Sequence, residues 1–287
     1  MIPTPHRQLS IPFSLHHTVH NLVVHEWGDA ANPKVIICAH GLSRNGRDFD
    51  VIAHALASTH RVLCPDVPGR GLSDWLPTAG DYVVPTYANV MQQMLAHLNI
   101  ARYSWLGTSM GGLIGMVLAA TPGNGMQRFV CNDVGPDIER AALERIGVYM
   151  GMRPPVFDSY EHLYRASLLA INSFGPLTDA QKHHIVSTSC SQGEDGKWRY
   201  TSDPKIGEAF VLALQQPPVD LWPLWSAIRR PTFVLRGEHS DLLSRATFTR
   251  MLQSRPEVSG HEVVATGHAP MMMDTETINI VKQFLCV

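Results

Sequence analysis

Residues 103–120 read YSWLGTSMGGLIGMVLAA, an apolar run, a glycine-flanked serine and a second apolar run. Residues 103–107 have the apolar content of a buried strand, and residues 113–120 have that of a buried helix. Between them lies a Gly-x-Ser-x-Gly motif centred on Ser109. At a strand-to-helix turn this motif is typical of a nucleophile elbow, because the strained turn needs small residues two positions before and after the serine. The segment therefore predicts a nucleophilic Ser109 at the carboxyl end of a strand.

A base must accompany such a serine, because a hydroxyl is a weak nucleophile at neutral pH. The chain has 15 histidines, and only His268 lies in a Gly-His-Ala-Pro turn after the last predicted strand, residues 261–265. A loop at that point can carry the imidazole back over the carboxyl edge of the sheet. We therefore predict that His268 is the base.

A carboxylate must in turn hold the base in the correct tautomer, and two aspartates follow predicted strands at the same sheet edge. Asp241 follows the strand at 231–236 after Gly-Glu-His-Ser, and Asp133 directly follows the strand at 127–132. Either one completes the chain order Ser, Asp, His. We favour Asp241 and keep Asp133 as the alternative acid. Glu238 ranks third because it could instead brace the loop.

The rest of the chain alternates strand-like and helix-like patterns. Further strand-like runs lie at residues 21–27, 34–39 and 61–65. Helical spacing of apolar residues lies at 49–57, 87–98, 244–253 and 275–285. This alternation predicts a parallel sheet covered by helices on both faces. Between residues 136 and 230 the spacing is helical throughout, which predicts a helical insertion that acts as a lid.

Four motifs together resemble those of the α/β-hydrolase superfamily, and the resemblance covers nearly the whole chain. They are His40-Gly41-Leu42, the segment DVPGRGLS at 66–73, the elbow at 107–111, and Gly267-His268-Ala269-Pro270. The resemblance implies a mostly parallel eight-stranded sheet with helices on both faces and a helical cap inserted after strand 6. It divides the chain into a core at 1–136 and 230–287 and a cap at 137–229.

The resemblance also implies a role for each matching residue. Ser109 resembles the nucleophile, Asp241 the acid and His268 the base of a catalytic triad. The backbone N–H groups of Leu42 and Met110 resemble the oxyanion donors, which stabilise charge that develops only in the transition state. The implied activity is hydrolysis of a small carboxylic ester or lactone through an acyl-enzyme on Ser109.

Other functions on this fold remain open. A serine at position 109 argues against epoxide hydrolases and haloalkane dehalogenases, which resemble this chain but carry an aspartate there. Cleavage of C–C bonds in ring-fission products ranks second, and cofactor-free perhydrolysis or acyl transfer ranks third. A non-catalytic ligand receptor is the alternative from a different class.

Five residues are candidates for the substrate pocket, and each has a structural alternative. Arg44, just after the oxyanion segment, could recognise a carboxylate or could be a solvated surface arginine. Trp198 could line the pocket or pack between helices, and Met271 could form a soft apolar wall. His40 is a structural brace rather than a base, and Gly41 could be a simple turn glycine as well as part of the oxyanion segment.

Composition excludes several classes of protein. Hydrophobic residues make up 45% and charged residues 17% of the 287 residues, which is typical of a globular chain. The formal charge is -2 with no basic cluster, so we expect no nucleic-acid partner. No apolar run reaches membrane-spanning length, and residues 1–14 lack the pattern of a secretory signal.

Cysteine usage fits a reducing compartment. The five cysteines have no Cys-x-x-Cys spacing, so we expect free thiols, a cytoplasmic location, no metal and no cofactor. A small-molecule ester or lactone is the expected partner. The sequence indicates neither an oligomeric state nor an acyl-chain length.

Overall fold

The computed structural model describes residues 2–152 and 154–286, and within them the main element is an eight-stranded sheet. Its strands are β1 (Arg7–Leu15), β2 (Thr18–Trp27), β3 (Val35–Ala39), β4 (Arg61–Pro65), β5 (Tyr103–Thr108), β6 (Met126–Asn132), β9 (Thr232–Gly237) and β10 (Val258–Val263). The order across the sheet is β1-β2-β4-β3-β5-β6-β9-β10. The β1–β2 and β2–β4 pairs are antiparallel, and all other pairs are parallel. The predicted mostly parallel sheet is therefore confirmed.

Helices cover both faces of this sheet. They are α1 (Asp50–Leu56), α2 (Val84–His97), α3 (Met110–Ala120), α9 (Arg245–Gln253) and α10 (Thr275–Leu285). Side chains of β3 alternate between the faces, so that Ile37 packs in one apolar cluster and Ile36 in the other. The first cluster contains residues of α2, α3 and α9, and the second contains residues of α1 and α10. Strands buried on both faces explain why their sequences are continuously apolar.

An insertion separates β6 from β9. It contains α4 (Arg140–Met150), α5 (Tyr160–Ile171), α6 (Asp179–Ser187), β7 (Cys190–Gln192), β8 (Trp198–Tyr200), α7 (Lys205–Leu214) and α8 (Trp222–Ala227). Residues of α5 and α6 form a third apolar cluster, which Met271 and Met273 of the core enter. Trp225 of α8 is instead fully buried in the cluster that contains α3. That last helix therefore packs with the core.

Four strands differ from the sequence-based expectation. The sequence did not predict β1, which contains Pro12, because proline is excluded from central strands; β1 is an edge strand, where proline is tolerated. The hairpin of β7 and β8 is too short to give a periodic signal. Strand β10 begins at Val258 and ends at Val263, earlier than the predicted run at 261–265.

Two expectations from composition concern the cysteines and membrane-spanning segments. All five cysteines are free thiols, and four of them are buried. Throughout residues 2–152 and 154–286, no helix is both long and apolar enough to cross a bilayer.

Candidate active site

Ser109 lies in a strained turn between β5 and α3. Its φ of 52° and ψ of -114° place it in a conformation that non-glycine residues rarely adopt. A Cβ at Gly107 would lie 2.2 Å from the carbonyl oxygen of Gly111, and a Cβ at Gly111 would lie 2.0 Å from that of Ala39. Both glycines are therefore required sterically, because the start of α3 packs directly on the ends of β5 and β3.

A chain of hydrogen bonds links Ser109 to a buried carboxylate. The Ser109 Oγ lies 2.9 Å from His268 Nε2, and His268 Nδ1 lies 2.8 Å from an Asp133 carboxylate oxygen. The other Asp133 oxygen accepts the backbone N–H of Gly237 at 3.0 Å. Asp133 is fully buried, whereas the His268 side chain is 16% exposed. A carboxylate only accepts hydrogen bonds, so Nδ1 carries the proton and Nε2 is free to accept the serine proton.

The structure corrects the expectation that Asp241 orients His268. The Asp241 side chain is 49% exposed and forms an ion pair with Arg145 of α4 at 2.7 Å. Its loop is folded around the buried Arg236, whose guanidinium donates to the carbonyl oxygens of Leu243 at 2.8 Å and Ser240 at 3.3 Å. This wrapping turns Asp241 away from the histidine.

Glu238, the third candidate acid, braces the same loop. Its carboxylate accepts the backbone N–H of Ala265 at 2.8 Å, which ties the loop after β9 to the loop that carries His268. Glu238 therefore braces the loop, which is the role that the sequence offered as the alternative to that of the acid.

The oxyanion segment follows β3 and lies beside the elbow. A Cβ added to Gly41 would lie 3.7 Å from the Ser109 Cβ. Within the described residues, the backbone N–H groups of Leu42 and Met110 donate to no protein acceptor. They are therefore available to an oxygen atom of a bound substrate.

His40 fixes the peptide that carries one of these donors. It is fully buried; its Nδ1 donates to the carbonyl oxygen of Gly41 at 2.7 Å, and its Nε2 accepts the N–H of Val67 at 2.9 Å. Burial lowers the pKa of His40 to about 4, although the bond to Gly41 opposes the shift. In a trans peptide the C=O and N–H point in opposite directions, so the bond to Gly41 orients the N–H of Leu42. Both ring nitrogens of the buried His40 are therefore occupied by backbone partners.

The other predicted pocket residues are engaged elsewhere. Arg44 forms a bidentate pair with Asp48, at 2.9 and 2.6 Å, and also donates to a carbonyl of α6. Trp198 packs against Tyr160, and Met271 is buried in the cluster of the insertion. In the described part of the chain no hydrogen bond joins any of these three predicted pocket residues to Ser109.

Asn132 is a site residue that sequence reasoning missed. It is fully buried at the end of β6, and its amide donates to Thr108 Oγ1 at 3.0 Å and to the carbonyl oxygen of Pro270 at 2.8 Å. These bonds link the strand before Ser109 to the loop after His268. A polar residue closing the apolar run 127–132 was the only sequence signal for it.

The segment 66–73 forms a tight turn around Asp66. Its carboxylate accepts the N–H groups of Gly46 at 2.7 Å and Leu72 at 2.9 Å. Burial opposes the charged form, but a hydrogen bond from His25 and these backbone bonds outweigh burial and lower the pKa of Asp66. A Cβ at Gly71 would lie 2.2 Å from this carboxylate. The turn therefore requires glycine there.

The arrangement is suited to acyl transfer by a serine nucleophile. It combines a hydroxyl in reach of an imidazole, a carboxylate behind that imidazole and two unpaired backbone donors beside the hydroxyl. Across the ranges 2–152 and 154–286, no three His, Cys, Asp or Glu side chains are grouped so as to hold a metal ion.

Comparison with known proteins gives the same family. The profile of the alpha/beta hydrolase fold family matches residues 34–274. The chain is 43% identical to a 3-hydroxybutyrate-oligomer hydrolase of Cupriavidus necator over 275 residues, which cover 93% of each chain.

Two solved structures match nearly the whole chain. A protein of Rickettsia typhi superposes with a TM-score of 0.89 at 30% identity, covering 98% of this chain and 99% of that one. An α/β hydrolase of Novosphingobium aromaticivorans superposes with a TM-score of 0.85 at 35% identity, covering 97% and 98%. With the sheet, the elbow and these matches, the chain belongs to the α/β-hydrolase fold family and is an esterase-like member of it.

Proposed function

We propose that this chain hydrolyses carboxylic esters through an acyl-enzyme on Ser109. The observation that carries the proposal is the hydrogen-bonded chain from Ser109 Oγ through His268 to Asp133, at 2.9 and 2.8 Å. His268 Nε2 takes the serine proton as Oγ attacks the ester carbonyl carbon. The resulting oxyanion accepts the N–H groups of Leu42 and Met110.

Collapse of this intermediate breaks the bond to the alcohol oxygen, and His268 returns its proton to that oxygen. Water then attacks the acyl-enzyme with His268 again as base, which releases the carboxylic acid and restores the Ser109 hydroxyl. Asp133 holds the imidazole in its tautomer and stabilises the imidazolium that forms in each half-reaction. The buried position of Asp133 supports this role, because a charge there is screened little by solvent.

For the substrate, we propose short linear oligomers of a hydroxyalkanoic acid. The support is the Cupriavidus necator relative, which is named for hydrolysis of 3-hydroxybutyrate oligomers and matches over 93% of this chain. Every linkage between two monomer units of such an oligomer is an alkyl ester. Each cleavage therefore needs only the chemistry described above and yields one new hydroxyl and one new carboxylate.

We further propose that the insertion at 137–229, apart from α8, acts as the cap over this site. The 3₁₀ turn Asn172–Phe174 touches the histidine loop directly, since Ser173 Oγ donates to the carbonyl oxygen of His268 at 3.1 Å and its carbonyl oxygen accepts the N–H of Gly267 at 2.7 Å. Asn45 ties the oxyanion side to the insertion through the carbonyl oxygen of Thr188, at 2.8 Å. The insertion is thus anchored on both sides of Ser109 and would limit the size of the substrate.

Hydrolysis of synthetic 3-hydroxybutyrate dimer and trimer tests the proposal. Wild-type enzyme should release monomer, and a serine-directed fluorophosphonate should label Ser109. Ser109→Ala should abolish both results without unfolding, whereas Ser191→Ala, at an exposed serine of β7, should change neither.

The assay panel should include a lactone, a ring-fission dienoate and p-nitrophenyl butyrate. Turnover of the dienoate in preference to all esters would replace the proposal with C–C bond hydrolysis. Turnover of p-nitrophenyl butyrate but not of the oligomers would retain the mechanism and refute the substrate.

A further inference from the structure

Arg70 is a fully buried arginine in the turn 66–73, and the chemistry above does not use it. Its Nε donates to the carbonyl oxygen of Leu42 at 2.8 Å, and its Nη2 approaches the Met110 thioether at 3.5 Å. Its Nη1 donates to the carbonyl oxygen of Pro68 and to the Tyr87 hydroxyl, both at 2.8 Å. One guanidinium therefore contacts both residues whose N–H groups are the oxyanion donors.

The hydrogen-bond partners of the Arg70 guanidinium, among the described residues, include no carboxylate. The rings of Tyr87 and Tyr82 lie 4.9 and 5.6 Å from the guanidinium carbon, and only the Tyr82 hydroxyl reaches a carboxylate, that of Asp203. Removing a charge from water without an ion-pair partner costs stability. A neutral side chain would fill this space at less cost, so the charge calls for a functional explanation.

The contact with Leu42 supplies such an explanation. His40 holds the peptide that precedes Leu42, and Arg70 holds the carbonyl of the peptide that follows it. The peptide groups on both sides of Leu42 are therefore fixed by buried side chains. A fixed positive charge in contact with both donor residues also favours negative charge on an oxygen that they bind, since the guanidinium is fully buried.

We propose that Arg70 is the positioning residue of the oxyanion site, which holds Leu42 and Met110 in place and adds a permanent charge beside them. The proposal rests on the proposed function for its effect on rate, but the loop geometry can be measured without turnover. Loss of a direct oxyanion donor typically lowers kcat by about two to three orders of magnitude. Loss of a residue that acts through the donors should cost less, roughly ten- to a hundredfold in kcat, with KM changed by less than about threefold.

The test compares Arg70→Met, Arg70→Lys and Tyr87→Phe. Arg70→Met removes the charge at similar length, and Arg70→Lys keeps the charge but replaces three donor nitrogens with one. Tyr87→Phe is the matched control, because it disturbs the same buried cluster but leaves the guanidinium and its bond to Leu42. Butylboronic acid is the probe, since its tetrahedral adduct on Ser109 places a negative oxygen at the oxyanion site.

Arg70→Met should lower kcat for p-nitrophenyl butyrate and weaken inhibition by the boronic acid by the same factor. Arg70→Lys should lose at least about fivefold in both, and Tyr87→Phe should stay within about threefold of wild type. Amide hydrogen exchange across residues 41–44 should be faster in both Arg70 variants than in the control.

A folded Arg70→Met enzyme with wild-type kcat and wild-type boronic acid inhibition would overturn the proposal. If Arg70→Met does not fold, wild-type kcat and wild-type boronic acid inhibition in Arg70→Lys would overturn the proposal instead. Faster exchange at residues 41–44 in an enzyme that turns over no ester would support the positioning and count against the proposed function instead.

Discussion

Replacing Asp133 with asparagine should nearly abolish activity, and the same change at Asp241 should not. Asp133 accepts two N–H groups, those of His268 Nδ1 and the Gly237 backbone. An asparagine has one accepting oxygen and one donating nitrogen. The backbone N–H of Gly237 can only donate, so the amide oxygen turns toward Gly237 and the amide nitrogen faces His268.

That orientation makes Nδ1 the acceptor and moves the imidazole proton to Nε2, where it faces Ser109. The histidine can then no longer take the serine proton. In such triads this change lowers kcat by roughly four orders of magnitude, or about 5 kcal/mol in the activation free energy. Asp241, by contrast, forms an ion pair whose side chains are about half exposed, and such pairs contribute at most about 1 kcal/mol to stability. Asp241→Asn should therefore leave kcat within about twofold of wild type.

The assay is kcat for p-nitrophenyl butyrate with the two purified variants side by side, together with thermal melts that establish folding. Both variants lose one negative charge, so a general charge effect would appear in both. Wild-type kcat in a folded Asp133→Asn enzyme, or a crippled Asp241→Asn enzyme, would refute the assignment of the acid.

Three further changes test the surrounding structure. The pKa of His40 is about 4 in the folded protein and 6.5 in the unfolded chain, so the unfolded state binds more protons between these pH values. The contribution of His40 to the free energy of unfolding is therefore fully present above pH 6.5 and falls by about 3 kcal/mol as the pH drops to 4. Urea unfolding from pH 4 to 7 should show this component in wild type and not in His40→Gln. Gly111→Ala should destabilise the fold by more than about 3 kcal/mol, because the new Cβ would lie 2.0 Å from the carbonyl oxygen of Ala39. The control is Gly123→Ala, whose Cβ would meet nothing within 4 Å. It should lower the free energy of unfolding only by the roughly 1 to 2 kcal/mol that a positive φ costs a non-glycine residue. Arg44→Met should raise KM for an anionic oligomer no more than KM for a neutral ester, and a selective rise would restore Arg44 as a carboxylate contact.

Local patterns in the chain were enough to predict the sheet and the nucleophile elbow. The spacing of Gly107, Ser109 and Gly111 reflects the close approach of α3 to the ends of β5 and β3, and the continuous apolar runs follow from burial of each strand on both faces. Both requirements leave a short contiguous pattern in the chain, which can be recognised without knowledge of the distant contacts. The edge strand β1 was missed because its proline is acceptable only where nothing pairs on the outer side of the strand, and no local pattern shows that position.

The choice of the carboxylate that contacts His268 depended on tertiary structure. Asp133 and Asp241 follow β6 and β9, which are neighbours in the sheet, so sequence order placed both at one edge. Asp133 reaches the histidine because the chain turns at the strand end with a φ of 57°, whereas the loop that carries Asp241 is folded around Arg236. Contacts between residues far apart in the chain decide which way each side chain points.

The two arginines near the oxyanion segment illustrate the same limit. Arg44 is adjacent in sequence and was one candidate substrate contact, yet Asp48 and a carbonyl of α6 occupy its guanidinium. Arg70 is 28 positions beyond Leu42 and donates to its carbonyl. The sequence determined which chemical groups the site contains, because each motif is a short contiguous pattern. Only the tertiary structure decided which charged groups face the site, because that depends on which distant carboxylates and carbonyls satisfy them first.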